Sequence, residues 1–418
     1  MRRSVPLTVV GVYGTAAALT GAGLARTLWN GIEDPEIALA FGVLIAVGEL
    51  ARRDAPPGER EPAPVGSAGA LAYALLAESA GRSTTHGVLQ VVAVCVAGAL
   101  AGAVPHLARG RGPAPDQAVR RVITVAFAAV CFQPLRDSGE LAGQVGKGPY
   151  YALCLVLVLL LTALCDAVLA ALMLRARTRY PYGPLLRDEL RSLLGIGSAV
   201  CATGAVMALA VAVTGLWALP VLCVPLLLTQ LSFRRYAAIR TTCRQTIASL
   251  ARATEIAGYT PHGHARRVAA LSTAVGRDLG LSAAELTVLE YAALMHDIGQ
   301  LSLVDPVPEG ATALLPAAEQ RRIAMLGGAV VRQTGVPAYV AVIVERQADP
   351  YREQPLPARI VRTVNAYDDL TGESAKGVLS ALEQLRLATA HDHQPEVVES
   401  LARVLGRQGR GPQGPVLR

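Results

Sequence analysis

The adjacent pair His296-Asp297 offers the clearest chemistry in this sequence. It follows the apolar run Tyr291 to Met295 and precedes Ile298 and Gly299, so both side chains fall at a helix end, facing inward. Histidine and aspartate on such a turn can bind one metal, the imidazole supplying nitrogen and the carboxylate oxygen. A further histidine, His264, opens the preceding helix in the run Tyr259-Thr-Pro-His-Gly-His-Ala-Arg-Arg-Val268. Suitably packed helices bring His264 close to His296. A lone histidine serves in a core or on a surface more often than as a ligand, so the combination carries the inference. The seven cysteines (95, 131, 154, 165, 201, 223 and 243) are scattered singly with no CxxC pair, and read as small hydrophobes rather than a disulfide frame or a zinc site.

These residues need a helical frame. From Phe233 to Ile256 the apolar pattern stays helical without a breaker, and Gly258 and Pro261 end it. Beyond lie Ala265 to Leu279, Ala283 to Met295, Pro316 to Thr334, Pro337 to Gln347, Leu356 to Leu370, Lys376 to Thr389 and Pro395 to Gly406, all with helical rather than alternating apolar spacing. The domain is therefore expected to be all-α. The tail from Arg407 to Arg418, rich in Gly, Pro and Arg, is expected to have no fixed structure.

Three groups of residues then stand in order: Tyr259-Thr260 with Gly263-His264 and Arg267-Val268; Leu294-Met-His-Asp-Ile-Gly299; and Ala358-Arg-Ile360 followed by Asn365-Ala-Tyr-Asp-Asp-Leu-Thr371. Over roughly Thr246 to Val404 they resemble the HD superfamily of metal-dependent phosphohydrolases, and within it the HD-GYP branch of cyclic-dinucleotide phosphodiesterases. The resemblance implies that His264, His296 and Asp297 are metal ligands, that Asn365 stands where the family has its distal ligand aspartate, and that Asp297 orients the attacking water. An amide oxygen can bind a metal without a carboxylate's charge, so affinity should fall. Asp368 is the nearest substitute, although it matches the family's second, structural aspartate. Gln300 replaces the lysine usual after His-Asp-Ile-Gly, removing a cation that would meet substrate phosphate. The family's His-Pro is missing around Ala324 and Met325, its paired histidines around Glu345 to Gln347, and its Gly-Tyr-Pro at Ala348 to Tyr351. The family's second metal site cannot be built. His391 and His393 flank Asp392, but Gln394-Pro-Glu-Val-Val398 resembles the start of the family's last helix, so this stretch is read as an exposed loop.

The first half of the chain has a different character. Of 418 residues 52% are hydrophobic and 17% charged, and nearly all the long apolar runs lie before residue 233. A soluble domain is about 25% charged, which argues against a fully soluble protein. With 4% aromatics the apolar content is mostly Ala, Val and Leu, which helices use well and sandwiches or barrels poorly. Four runs are clear spans, Pro6 to Leu24, Val88 to Val104, Tyr151 to Leu174 and Leu193 to Val213. Four are shorter candidates, Ile37 to Leu50, Gly66 to Ala80, Val122 to Leu135 and Leu216 to Leu231. About eight spans are expected. Counting all eight, fourteen arginines fall on one side and four basic residues (Arg26, Arg82, Arg136 and Lys147) on the other, and the positive-inside rule makes the richer side cytoplasmic. The C-terminal half lies on that side. Glu49 and Glu78 sit near span ends with access to the interface, which leaves Asp166 as the candidate for a ligand or packing role in the bilayer.

The expected architecture is all-α: a membrane domain over 1–233, a linker helix over 234–257, a cytoplasmic HD or HD-GYP-like domain over 258–406, and an unstructured tail over 407–418. The net charge of +7 is explained by topology rather than by nucleic acid, which is not an expected partner. The partners expected are the lipid bilayer and a nucleotide or cyclic dinucleotide. Lys147 and Lys376 are the only lysines, and this arginine dominance fits a GC-rich bacterial genome and hence a bacterial inner membrane. The function expected is that of a signalling protein with a divergent phosphohydrolase domain using a divalent ion, Mn, Fe or Mg. The alternative is a non-catalytic nucleotide-binding module from which the metal has been lost. A transporter is disfavoured, because the spans carry few polar interior residues.

Overall fold

The computed structural model describes residues 6–51, 63–108, 115–138, 149–178, 180–305, 307, 310–371, 375–389 and 391–409, and they are helical almost throughout. The basic residues Arg2, Arg3, Arg52, Arg53, Arg60, Arg109, Arg111, Lys147 and Arg179 of the charge argument lie outside the described residues, as does 410–418 of the tail. The chain forms two compact units, Met1–Arg235 and Tyr236–Arg418.

The first unit contains α1 (Leu7–Asn30), α2 (Pro35–Leu50), α3 (Pro64–Ala74), a two-stranded hairpin of β1 (Glu78–Ser79) and β2 (Arg82–Ser83), α4 (Val88–Ala108), α5 (Pro115–Asp137), α6 (Pro149–Thr178), α7 (Tyr182–Ser192) and α8 (Ser198–Thr214). Five stretches are long and apolar enough to cross a membrane: Leu7–Asn30, Val88–Ala108, Pro115–Asp137, Tyr150–Thr178 and Ser198–Pro225. Two of the shorter sequence candidates become α2 and α3, 16 and 11 residues long. At 1.5 Å per residue these measure about 24 and 16 Å, short of the roughly 30 Å hydrocarbon core. α3 is buried along its whole length from Val65 to Ala74. Small residues allow this, since a Cβ on Gly48 of α2 would fall 2.3 Å from the Gly66 nitrogen, and Gly204 of α8 lies against Leu71 and the Ala68 carbonyl.

Glu49 does not reach an interface as expected. It is buried, and Arg121 of α5 pairs with it. The neighbouring Arg120 donates through Nε to Asp166 Oδ1 of α6 at 3.0 Å, so two consecutive arginines neutralise both carboxylates. Removing either partner would strand a charge in low dielectric.

The second unit begins within α9 (Ala218–Ile256). It continues through α10 (His264–Asp278), α11 (Ala283–Met295), short 3-10 turns at Ile298–Ser302 and Thr312–Leu314, α12 (Ala317–Arg332), α13 (Ala338–Arg346), α14 (Leu356–Thr371), α15 (Ala375–Leu387) and α16 (Pro395–Gly409). All seven helices read from apolar spacing are present, with ends shifted by a residue or a few. α16 runs past Gly406 to Gly409, beyond the point where the tail was expected to begin. Within this unit the end of α9 is part of the packing, because Ile247 and Ala251, one turn apart, are buried in the core. α10 packs on α11, α14 and α16, and α11 on α13, around Val268, Leu289, Met295, Val340, Ile343 and Leu401.

Candidate metal centre

Two glycines position the pair of histidines. Gly263 adopts φ +75° immediately before α10, a left-handed turn that disfavours any side chain, and it delivers His264 as the first residue of the helix. At the other histidine, α11 starts on a capping box between Ser282 and Glu285 and runs as an apolar helix to Met295. The chain then turns tightly through Ile298–Ser302 against α12. A Cβ on Gly299 would sit 2.1 Å from the Ile323 carbonyl oxygen, so glycine is required there. His296 and Asp297 occupy the corner between these elements. Asn365 comes from α14, and all four side chains are buried.

The four sequence candidates converge. His264 Nε2 lies 3.3 Å from His296 Nε2, Asp297 Oδ2 lies 3.3 and 3.2 Å from those two nitrogens, and Asn365 Oδ1 lies 3.0 Å from His296 Nε2. Ligands bound at about 2.0–2.2 Å with interligand angles of roughly 90–109° stand about 2.8–3.6 Å apart, so these spacings suit one shared ion.

Surrounding hydrogen bonds fix which atoms face inward. His264 Nδ1 contacts the Asp368 carboxylate at 2.7 Å and His296 Nδ1 contacts the Ala293 carbonyl at 2.8 Å. Both partners can only accept, so each Nδ1 carries a proton, and each ring in its neutral form presents a bare Nε2. Asn365 Nδ2 donates to Thr312 Oγ1 at 3.2 Å, and Thr312 donates to Asp297 Oδ1 at 3.1 Å. That chain turns the amide oxygen of Asn365 toward the histidines. Asp297 Oδ2 is left buried without a hydrogen-bonded donor. Four acceptor atoms therefore face one point, an arrangement that calls for a cation. An unmet buried acceptor costs about 1–3 kcal/mol by itself.

The ionisation equilibria carry the same message. Burial acts to lower the His264 pKa, yet Asp297 and Asp368 outweigh it and push His264 up to about 10. Asp297 moves well below the usual carboxylate range: burial opposes the shift, and His296 and His264 overcome it. A proton on His264 and a bound cation are thus alternative sources of positive charge at this point. Burial, reinforced by Asp297, raises Asp369 to about 6.

Asp368 is not a replacement ligand for Asn365. It bonds to His264 Nδ1 and to Arg267, orienting the ring from behind. Gln300 is fully buried, with Nε2 3.5 Å from the Gly310 carbonyl oxygen.

His296, Asp297 and Asn365 line a cavity of about 320 Å³, whose other walls include Gln320, Ala324, Gln347, Arg362, Asp392 and His393. The positions where the resemblance places further metal ligands thus hold Ala324 and Gln347. Gln347 donates to the His296 carbonyl at 2.8 Å. His391 and Asp392 are exposed, in keeping with a loop, but His393 is buried, its Nδ1 3.2 Å from Thr363 Oγ1. Apolar Val397 and Val398 of α16 draw this segment into the core, which the reading of an exposed loop missed.

Residues 262–369 match the family model of the HD domain. No curated protein and no solved structure matches the chain. HD domains are metal-dependent phosphohydrolase-type modules, and the His264-His296-Asp297 group falls inside the matched segment. The HD domain so defined ends within α14, and the cavity extends beyond it to Asp392 and His393. Sequence reasoning missed Thr312, Arg362 and His393. Arg362 alone left a signal, lying three residues before Asn365 and so on the same helical face.

Proposed function

We propose that this chain is a membrane-anchored, divergent HD-GYP-like phosphohydrolase of a bacterial inner membrane, whose HD domain acts in the cytoplasm on a phosphate monoester or nucleotide. The observation that carries the reading is the convergence of four acceptor atoms, from His264, His296, Asp297 and Asn365, on one cation-sized point. Two imidazoles disfavour Mg, which prefers oxygen ligands, and favour Mn or Fe. Such an ion supplies Lewis-acid charge to a phosphoryl oxygen and acidifies water. The chain's own residues do the rest: Thr312 fixes the Asp297 carboxylate, and Asp368 and Ala293 fix the two rings. Water adds to phosphorus, the ester P–O bond breaks, and the departing oxygen takes the proton. With Ala324 and Gln347 where further ligands would stand, a cyclic dinucleotide is a poor substrate.

Asn365, which lacks the carboxylate's charge, favours a second reading, a signalling module that binds a nucleotide without turnover. One assay separates them. Full-length protein loaded with Mn²⁺ is expected to hydrolyse nucleoside monophosphates or p-nitrophenyl phosphate in a chelator-sensitive manner, with cyclic di-GMP hydrolysis slow or absent. Bound metal without any turnover would select the non-catalytic module.

With all eight runs counted as spans, fourteen basic residues against four support the cytoplasmic placement. With α2 and α3 taken as non-crossing, Arg52, Arg53 and Arg60 change sides and the ratio falls to eleven against seven, still in the same direction. A reporter fused after Arg244 is expected to register as cytoplasmic, and activity on the outer side would overturn the parity of the span assignment.

A further inference from the structure

Resting on the single-metal reading above, we infer that Arg362 is the anion-gripping residue of the cavity and that Asp392 competes with the ligand for it. The ligand this pair selects is a terminal, dianionic phosphate.

Among the described residues lining the cavity, Arg362 carries the one permanent positive charge. It stands on α14 three residues before Asn365, which puts the two Cβ atoms about 5–6 Å apart on one face. A guanidinium on that stem reaches an anion seated at the metal centre. Gln300, where the resemblance places a lysine, does not line the cavity, so the phosphate-meeting cation has moved from the turn after α11 to α14.

The local contacts hold Arg362 ready without saturating it. Its NH1 donates to the Asp349 carbonyl at 2.9 Å, which aims the side chain. Its NH2 lies 3.6 Å from Asp392 Oδ1, an ion pair too long to be a hydrogen bond. Asp392 is 60% exposed and can swing into water, whereas Arg362 at 20% cannot. His393, the other basic side chain on this wall, is held down to about 4 by burial and by Arg362, so it stays neutral.

Charge then selects the ligand. A divalent ion with Asp297 contributes one net positive charge and Arg362 a second, once Asp392 turns away. A phosphomonoester carries about 1.5–2 negative charges at neutral pH, against about one for a diester, so the monoester is matched and the diester is not.

The test reads binding of inorganic phosphate to full-length, Mn²⁺-loaded protein by calorimetry, with metal content measured alongside. Arg362→Gln should weaken phosphate by about tenfold or more with the metal retained, and Arg362→Lys should lose less, keeping charge without the fork. Asp392→Asn should move the opposite way, tightening phosphate severalfold, which no merely structural role predicts. Because Asp392 is exposed, that variant keeps the test decisive even where Arg362→Gln misfolds. Unchanged affinity in Arg362→Gln, or weaker binding in Asp392→Asn, overturns the inference while leaving the metal site standing. A wild-type chain that takes up no metal overturns the proposed function and this inference with it.

Discussion

Replacing His296 by alanine is expected to abolish divalent-ion uptake, lowering Mn²⁺ affinity by more than the roughly 10–100-fold that follows loss of an outer-shell partner. His296 Nε2 lies within 3.0–3.3 Å of His264 Nε2, Asp297 Oδ2 and Asn365 Oδ1, so its removal takes away the atom closest to all the others. Equilibrium dialysis against Mn²⁺ measures the effect, with circular dichroism to show that the fold persists. Wild-type affinity in the variant would dismiss the site. The same experiment has a defined pH dependence. The folded-state pKa of His264, about 10, exceeds its ordinary value of 6.5. Proton-linked stability is therefore fully present below pH 6.5 and is lost as pH rises through 10. Metal must displace that proton, so wild-type affinity should climb between pH 6.5 and 9, by at most about tenfold per unit for each proton released.

The second large effect runs in the favourable direction. Asn365→Asp should raise metal affinity by about tenfold or more, because it puts a full negative charge where a neutral amide oxygen now stands. The swap is nearly isosteric. It removes the donor that Asn365 Nδ2 offers Thr312, and the Thr312 hydroxyl can still donate to Asp297 or turn to the new carboxylate. Asn365→Ala should move the other way. Metal binding indifferent to both changes would mean that position 365 only packs, and would favour the non-catalytic module.

The helices of the second unit were legible because amphipathic spacing is a local property, and each of the seven from α10 to α16 was placed to within a few residues. The approach of His264 to His296 was legible through motif resemblance, since nothing in the spacing of residues 264 and 296 fixes how α10 meets α11. Thr312 left no local signal, because it reaches the site from a segment whose path is set by tertiary packing, and His393 was noticed beside Asp392 but read as part of an exposed loop for the same reason. Arg362 was readable in hindsight by its helical register with Asn365. In the first unit, the run Gly66 to Ala80 has the hydropathy of a span, yet its helix stops at Ala74 and gives way to a hairpin at Glu78 to Ser83. Hydropathy reports a preference for leaving water and is blind to whether lipid or protein replaces it. For the same reason Glu49 looked like an interfacial residue, while its partner Arg121 lay seventy-two positions along the chain.

The complete burial of α3 also bears on how the protein is made. A helix too short to cross a bilayer and covered on every side gains little from partitioning into lipid as it leaves the ribosome. α2 precedes it and is ready to receive it, but the glycine face of α8 is synthesised more than a hundred residues later. At about 5–20 residues per second, that is a wait of several to some tens of seconds. Throughout it, one side of α3 lacks its final partner. Biogenesis of this unit therefore depends on something shielding α3, whether a neighbouring helix in a provisional position or an insertion chaperone, and nascent chains that stop before α8 should be marked for degradation.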